Sequence, residues 1–208
     1  MRTLFILFLL IQLSYCEKNE APESNLPYLD EKMTPVKPWE LFFKDSLHFH
    51  ADGFNFPVGI PDAKGYYNAQ SFQENHHLGD DWNAVTGGNT DLGDPVYATA
   101  NGYVNSAKHE GPGWGNVIRI IHYHKNLKPQ IVESVYAHCD TILVRKGQAV
   151  IKGEKIGTIG NADGAYLAHL HFEIRDSIEW PIGGGYFYDT TGYMNPTRFI
   201  KRNRTIDR

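Results

Sequence analysis

The chain of 208 residues has little cysteine and little net charge. Its two cysteines, Cys16 and Cys139, are too few for a disulfide framework. A formal net charge of −4 gives no electrostatic basis for binding a nucleic acid, which requires a basic surface. The composition therefore excludes a disulfide-stapled small fold and gives no reason to expect DNA or RNA as a partner.

Long hydrophobic runs are scarce as well. Residues 4–13 are apolar except for Gln12, a run too short to span a bilayer comfortably. One positive charge precedes this run and a polar stretch follows it, which is the pattern of an export signal over residues 1–16. The ending Leu-Ser-Tyr-Cys resembles a lipoprotein signal with a lipid anchor at Cys16, although Tyr15 replaces the usual small residue. An ordinary cleaved signal is the alternative, and both predict an exported protein of the periplasm or cell envelope.

Helical periodicity is nearly absent. From Asn55 onward, short strand-like runs are separated by Gly, Asp and Asn, and the chain contains 20 glycines. This spacing predicts an all-β sandwich or barrel with little helix. The strand candidates are residues 96–100, 102–109, 116–124, 131–138, 154–160 and 169–175. A short terminal helix is expected to begin after Asn195.

Composition divides the chain into four parts. The export signal at 1–16 is followed by a polar tether and aromatic lead-in at 17–50. The main domain is expected at 51–200, and residues 201–208 form a basic tail that we expect to be solvated. The sequence does not fix an oligomeric state, and we expect a monomer.

The richest chemistry lies in pairs of histidines and acids. Residues 168–175 read Ala-His-Leu-His-Phe-Glu-Ile-Arg, so His169 and His171 share one face of a strand. His77 and Asp81 are four residues apart and share a face of an extended chain. Together with one histidine of the pair they make a His2Asp set, which leaves a fourth zinc position open as in catalytic sites. The chain has no His-Glu-x-x-His motif, which excludes the helical zinc-peptidase arrangement.

A further histidine follows a tyrosine in the run Tyr136-Ala137-His138. In a regular strand Tyr136 and His138 share one face, whereas Cys139 points to the other, where we expect a buried thiol. If three residues hold zinc, His138 and the remaining histidine of the pair are available for acid–base work near neutral pH. Zinc would polarise a carbonyl and lower the pKa of water to about 7. This combination predicts a zinc hydrolase.

Six stretches carry a resemblance to a known family. They are residues 77–81, 94–104, 113–122, 136–138, 144–160 and 168–175. In this order they resemble the lysostaphin-type, LytM-like zinc metallopeptidases of bacterial cell walls, over about residues 66–176. The resemblance implies an all-β fold of the duplicated hybrid-motif, barrel-sandwich-like kind within the domain at 51–200.

The resemblance also implies roles for five residues. It implies one Zn²⁺ per chain held by His77, Asp81 and His171. It implies that His138 and His169 are the catalytic pair, with their division between general base and oxyanion stabilisation left open. Family members hydrolyse peptide bonds in peptidoglycan. The chain is therefore expected to be a zinc metalloendopeptidase, with peptidoglycan peptides as its substrate.

Departures from the family pattern leave alternatives open. Family members often carry Gly-x-Thr-Gly and Gly-Pro before the His-x-His motif, and residues 160–168 lack both. This difference concerns the shape and specificity of the groove more than its chemistry. One alternative is a non-cleaving regulator or activator of another wall hydrolase, against which the intact set of five residues argues. Another is a carrier domain, because the Val and Gly spacing at 144–153 resembles lipoyl-type domains, although no lysine hairpin supports it.

Overall fold

A computed structural model of the chain describes residues 35–204. The expectations for the export signal at 1–16, for Cys16, for the tether at 17–34 and for tail residues 205–208 lie outside the described residues. Residues 36–204 belong to one compact unit. Within the described part, none of the helices has the length and apolar character needed to cross a lipid bilayer.

Residues 35–204 form ten strands and two α-helices, which confirms the prediction of an all-β fold with little helix. The strands are β1 (Tyr66–Gln70), β2 (Asp80–Ala84), β3 (Pro95–Tyr97), β4 (Gly102–His109), β5 (Asn116–Tyr123), β6 (Ile131–Ile142), β7 (Ala149–Val150), β8 (Lys155–Ile159), β9 (Leu170–Arg175) and β10 (Tyr193–Met194). The helices are α1 (Pro38–Asp45) and α2 (Pro196–Arg202). All six predicted strand runs overlap a strand, and α2 begins after Asn195 as expected. Asn195 Oδ1 caps this helix by accepting a hydrogen bond from the Arg198 N–H at 2.8 Å.

The strands form one antiparallel sheet that curls around a main core. Its bonded order is β1-β2-β9-β6-β5-β4-β7, with β10 on β9 and the β3–β8 pair attached through β8 to β6. Alternate side chains of the central strands enter the core, among them Ile118, Tyr136 and Phe172, all fully buried. Burial of each large apolar side chain contributes about 1.5–3 kcal/mol, so the central strands β5, β6 and β9 form a rigid platform.

Helix α1 packs on the other side of the sheet. Its start is fixed by Pro38 in the first turn and by the Lys37 N–H, which donates to Glu40 Oε2 at 3.1 Å. Trp39 and Phe43 of this helix are buried with Tyr103 of β4 and Ile121 of β5. The stretch assigned to the lead-in therefore contains a helix that is part of the packed unit.

The face of β5, β6 and β9 that points away from the main core carries the site. Val117, Val135 and Ala137 form a small apolar cluster there, which Trp114 and Ile182 cover. Ile182 belongs to residues 181–187, which we call the wall segment. The wall segment bonds to the chain before β2, where the Leu78 N–H donates to Gly185 O and the Phe187 N–H donates to His76 O, each at 2.9 Å. This segment and the strand ends enclose a groove.

Candidate metal centre

Pairing between β2 and β9 brings the three predicted ligands together. Asp81 on β2 lies directly opposite His171 on β9, and His77 lies in extended chain just before β2. His171 Nδ1 is 2.9 Å from Asp81 Oδ1 and 2.9 Å from His77 Nε2. His77 Nε2 is 3.3 Å from the same Asp81 oxygen. These donor atoms all lie within 4.8 Å of one another, close enough to hold one metal ion.

Hydrogen bonding determines which nitrogen of His171 faces this cluster. Nε2 of His171 lies 3.0 Å from Glu173 Oε1. A carboxylate only accepts, so Nε2 carries a proton towards Glu173, and Nδ1 is the nitrogen that can offer a lone pair to a metal ion in the cluster. Lone pairs that converge from His77, Asp81 and His171 repel one another unless a proton on a ring nitrogen or a metal ion lies between them. Two imidazole nitrogens and a carboxylate oxygen are ligands that zinc takes, so the residues fit a zinc ion.

The charges around this cluster displace two pKa values. Burial alone would lower the pKa of His171, but its hydrogen bonds with Asp81 and Glu173 outweigh burial and raise the pKa to about 9. Burial would raise the pKa of Asp81, yet hydrogen bonds with His171 and His77 hold that pKa well below its usual range. Asp81 is therefore an anion at neutral pH, and its charge favours a cation at the centre, either the Nδ1 proton of His171 or a metal ion that replaces it.

A glycine between His77 and Asp81 allows this part of the chain to approach β9 closely. Gly79 lies immediately before β2 and against β9. A Cβ atom at this position would meet the Phe172 carbonyl oxygen at 2.7 Å and the His171 Cε1 atom at 2.9 Å. Any side chain here would therefore push β2 away from β9 or displace the His171 ring.

His138 reaches the groove through a left-handed backbone conformation, with φ of 62°. At this residue β6 stops pairing with β9 and begins to pair with β8. For a residue with a Cβ such a conformation costs about 1–3 kcal/mol, and it is held by the His138 N–H, which donates to Trp114 O at 3.0 Å. The turn reverses the alternation of the strand: Tyr136 and Cys139 both enter the main core, whereas His138 faces the groove. The prediction that Tyr136 and His138 share a face was wrong for this reason.

His138 and His169 face each other, with ring centroids 4.7 Å apart. Each has Nδ1 beside a carbonyl oxygen, Trp114 O at 3.3 Å for His138 and Leu167 O at 2.8 Å for His169. A carbonyl accepts, so Nδ1 carries the proton in both rings and Nε2 has a lone pair. His169 Nε2 is 3.8 Å from Asp81 Oδ1 and thus borders the candidate metal centre. Burial, together with the neighbouring His171 and His169, lowers the pKa of His138 to about 3, so this ring is neutral at neutral pH.

The groove has a volume of about 640 Å³ and aromatic walls. Trp114 stacks on His138 at an interplanar angle of 28°, and its Nε1–H donates to Gly183 O at 2.9 Å. Tyr166 packs against His138 with ring centroids 5.1 Å apart, and Tyr186 of the wall segment donates to Gln70 Oε1 at 2.8 Å. The sequence analysis assigned no role to these aromatic residues. Trp114 stands between two glycines in a stretch that resembles the family, which is the signal that could have found it.

Other histidines and the single described cysteine lie away from this centre. The buried His122 has Nδ1 2.8 Å from Asn101 O and Nε2 2.7 Å from Ser134 Oγ. His50 Nε2 lies 2.9 Å from Phe43 O beside α1. Cys139 is a buried free thiol, as expected, and burial raises its pKa to about 12. These groups are explained by packing.

Comparison with known proteins identifies the family. Residues 76–183 match the model described as Peptidase family M23, which covers just over half of the chain. The chain belongs to peptidase family M23. This confirms the resemblance to lysostaphin-type, LytM-like proteins, and the matched range contains every candidate ligand and both candidate catalytic histidines.

Relatives within the family have different names. The chain is 45% identical over 83 residues to Lipoprotein NlpD of Yersinia enterocolitica, which covers 40% of this chain and 78% of that protein. It is 45% identical over 83 residues to Murein hydrolase activator NlpD of Escherichia coli, covering 40% of this chain and 20% of that protein. It is 38% identical over 85 residues to Peptidoglycan DD-endopeptidase ShyB of Vibrio cholerae, covering 41% and 18%. The chain thus spans most of the first protein and about a fifth of the other two.

Solved structures include similar chains. A zinc-containing peptidase from Vibrio cholerae is 31% identical, with a TM-score of 0.47 over 60% of this chain and 37% of that chain. The catalytic domain of lysostaphin from Staphylococcus simulans is 23% identical, with a TM-score of 0.46 over 72% and 89%. Membership of the family rests on the match over residues 76–183.

Proposed function

We propose that this chain is an exported zinc metalloendopeptidase that hydrolyses peptide bonds in peptidoglycan. One observation carries the proposal: the donor atoms of His77, Asp81 and His171 converge at a groove that two further histidines border. Membership of a peptidase family supports hydrolysis of peptide bonds. The names of relatives that act on murein or peptidoglycan support the substrate class.

The proposed roles follow from the hydrogen bonds of each histidine. His77, Asp81 and His171 would hold the zinc ion, which when bound acts as a Lewis acid on the substrate carbonyl and lowers the pKa of water. His169 keeps its Nε2 lone pair towards the centre because Leu167 O binds its other nitrogen. It accepts the proton of the attacking water and passes it to the leaving amine.

His138 has a different role in this proposal. Its low pKa keeps the ring neutral, and Trp114 O holds Nδ1 so that Nε2 faces the groove. As a fixed hydrogen-bond acceptor it orients the water and the substrate amide rather than carrying a proton between them. The rings of Trp114 and Tyr166 both pack against this histidine.

Digestion of purified peptidoglycan by residues 17–208 tests the proposal. Released peptides are identified by mass spectrometry, with and without a metal chelator, alongside His169→Ala and the control His76→Ala, which changes an exposed histidine next to a candidate ligand. We expect cleavage that is lost with chelator and with His169→Ala but retained by His76→Ala. Folded, zinc-loaded protein that releases nothing from several wall types would contradict the peptidase proposal.

A second candidate function is activation of a separate wall hydrolase without cleavage. The similarity to Murein hydrolase activator NlpD favours it. Under this alternative the groove binds a partner or a wall peptide, and zinc ligands are dispensable. The same digestion distinguishes the two: an activator releases nothing alone but raises the rate of an added hydrolase, and His169→Ala does so equally well.

We further propose that the chain reaches the cell envelope and is lipid-anchored at Cys16. The signal pattern of residues 1–16 and relatives named as lipoproteins support this location. Cys16→Ser should move the exported protein from the membrane fraction to the soluble fraction of the envelope. An unchanged distribution would favour an ordinary cleaved signal.

A further inference from the structure

Three polar side chains follow one another on the groove side of β9. His171, Glu173 and Arg175 are two residues apart, so they share a face of the strand. Glu173 and Arg175 are fully buried. Burial of a carboxylate and a guanidinium costs free energy unless their hydrogen-bonding atoms find partners, so a buried pair is weak evidence for stability alone. The partners of this pair indicate what it positions.

Glu173 divides its two oxygens between the candidate metal centre and the arginine. Oε1 accepts from His171 Nε2 at 3.0 Å, and Oε2 accepts from Arg175 Nε at 2.6 Å. The carboxylate therefore selects the ring tautomer of His171 that presents Nδ1 to Asp81 and His77. The arginine holds the carboxylate charged and in place, because a guanidinium donates in a fixed planar geometry.

Arg175 also binds the wall segment. Its Nη1 donates to Pro181 O at 3.2 Å and its Nη2 donates to Ile182 O at 2.8 Å. The next residue, Gly183, accepts from the Trp114 indole N–H at 2.9 Å. One guanidinium therefore contacts both the carboxylate behind His171 and the chain that holds the groove's tryptophan.

Trp114 connects the wall segment to His138. Trp114 O accepts from the His138 N–H at 3.0 Å and lies 3.3 Å from His138 Nδ1. The Trp114 ring also packs edge-on against His171, with centroids 5.4 Å apart. Hydrogen bonds, joined by the covalent chain within the wall segment and within Trp114, thus connect a candidate ligand to a candidate catalytic histidine.

We propose that Glu173 and Arg175 are positioning residues that couple the metal centre to the substrate groove. Glu173 orients His171 for metal binding. Arg175 places the wall segment and, through Trp114, the backbone that presents His138. The inference rests on the proposed function, because it assumes that zinc is the metal ion that His171 binds.

A second buried ion pair on the same face supplies the matched control. Arg119 Nη2 donates to Glu133 Oε2 at 2.5 Å, and Glu133 is fully buried. Glu133 also accepts from Asn105 Nδ2 at 3.3 Å. Glu133 lies opposite Arg175 across the β6–β9 pairing, but none of the hydrogen bonds found for Glu133 in residues 35–204 joins it to Arg175, the groove or a candidate ligand. Glu133→Gln therefore removes a charge near Arg175 without removing one of the hydrogen bonds of Arg175. A charge-removing change here measures the general cost of disturbing a buried pair.

The first test compares Glu173→Gln with Glu133→Gln in the mature protein. Zinc affinity is measured by competition with a chromophoric chelator, and folding by chemical denaturation. We expect Glu173→Gln to weaken zinc binding about 10- to 100-fold, the range seen when a partner of a ligating histidine is lost, and Glu133→Gln to leave it unchanged. Wild-type affinity in Glu173→Gln, or an equal loss in both variants, would overturn the role of Glu173.

The second test concerns Arg175→Lys, which keeps a positive charge beside Glu173 but cannot donate to three acceptors in one plane. The readout is the ¹⁵N-labelled indole N–H resonance of Trp114, assigned by its disappearance in Trp114→Phe. We expect this resonance to shift in Arg175→Lys and to stay in place in Glu133→Gln, while zinc affinity changes less than in Glu173→Gln. An unmoved resonance would remove Arg175 from the proposal.

These measurements need no turnover. A wild-type protein that binds zinc but cuts no peptidoglycan contradicts the peptidase proposal and leaves the positioning inference to be judged on affinity and resonance. A wild-type protein that cuts peptidoglycan while Glu173→Gln binds zinc normally contradicts the inference and leaves the peptidase proposal standing.

Discussion

Two buried histidines, His122 and His171, lie in neighbouring parts of the same sheet and have opposite electrostatics. Both ring nitrogens are engaged in each. His122 has neutral partners, and burial lowers its pKa to about 4. His171 lies between two carboxylates, whose hydrogen bonds outweigh burial and raise its pKa to about 9. Burial alone therefore does not distinguish a packing histidine from a functional one; the charge of its partners and its access to a groove do.

Removal of the His171 ring should have the largest effect on zinc affinity and activity, and it tests the difference between the two histidines most directly. His171→Ala deletes one of three candidate ligands, so we expect zinc affinity to fall by more than the roughly 10- to 100-fold seen for lost partners of ligands. Peptidase activity should fall to background. Chelator competition and peptide release measure the two effects.

The matched change on the other histidine is His122→Gln. We expect it to reduce stability but to leave zinc affinity and activity per folded molecule unchanged, because its partners Asn101 and Ser134 do not line the groove. Equal zinc affinities in His171→Ala and wild type would refute the ligand assignment. Lost zinc affinity in folded His122→Gln would refute the distinction between the two sites.

A smaller effect is expected at His138, which lines the groove but is outside the set of three donors. His138→Ala should lower the turnover rate by about 10²- to 10⁴-fold, the usual contribution of a positioned acid–base or hydrogen-bonding group. Zinc content should remain that of the wild type, as measured by metal analysis of the purified protein. Loss of zinc together with activity would show that His138 belongs to the metal centre itself. His109→Ala, at the exposed end of β4, serves as the control.

Much of the fold could be predicted because Gly, Asp and Asn separate its β-prone runs along the chain. β4 was predicted with its observed ends, and β5 and β9 to within one residue. The short strands β7 and β10 have two residues each, too few to show any period. The bonded order of the sheet depends on long-range contacts that no local pattern records.

The candidate site was predictable only where spacing and backbone were regular. His169 and His171, two residues apart, lie on the same side of the chain as their spacing indicates. The pairing of β2 with β9 places Asp81 opposite His171, and the roles of these residues stay a prediction. The side chain of His138 lies on the face opposite to the predicted one, because the positive φ of this residue reverses the alternation of side chains along β6. The wall segment lacks periodicity, and Glu173 was hidden inside a strand pattern, although a charged pair at alternate positions beside core residues was a usable signal.

The stability of the protein at acidic pH tests whether His122 is held neutral in the folded state. His122 is held neutral in the folded protein, with its pKa lowered from an ordinary 6.5 to about 4. Between these values the unfolded chain binds a proton at His122 that the folded chain does not. Protonation therefore favours the unfolded chain, and the free energy of unfolding decreases as the pH falls from 6.5 to 4. The loss amounts to about 3 kcal/mol.

The measurement compares the free energy of unfolding of metal-free wild type and His122→Gln across this range. We expect the wild type to lose more stability than the variant as the pH falls, so that their difference narrows. His138, whose pKa is also lowered, contributes in the same direction to both proteins and cancels in the comparison. A difference that stays constant with pH would show that His122 is not held neutral.

The smallest expected effect comes from the hydroxyl beside His122. Ser134 Oγ lies 2.7 Å from His122 Nε2 and 3.0 Å from Tyr136 Oη, and Tyr136 Oη in turn accepts from the Thr99 N–H at 2.9 Å. Ser134→Ala should cost about 1 kcal/mol of stability at neutral pH, because a buried ring nitrogen loses its partner. Denaturant titration measures this loss, and zinc affinity is measured in parallel. Since the network lies within the core and ends at Thr99, zinc affinity should stay that of the wild type. A change in zinc affinity would mean that the polar cluster around His122 is coupled through β6 to the candidate metal centre. His122 and His171 would then not be independent sites.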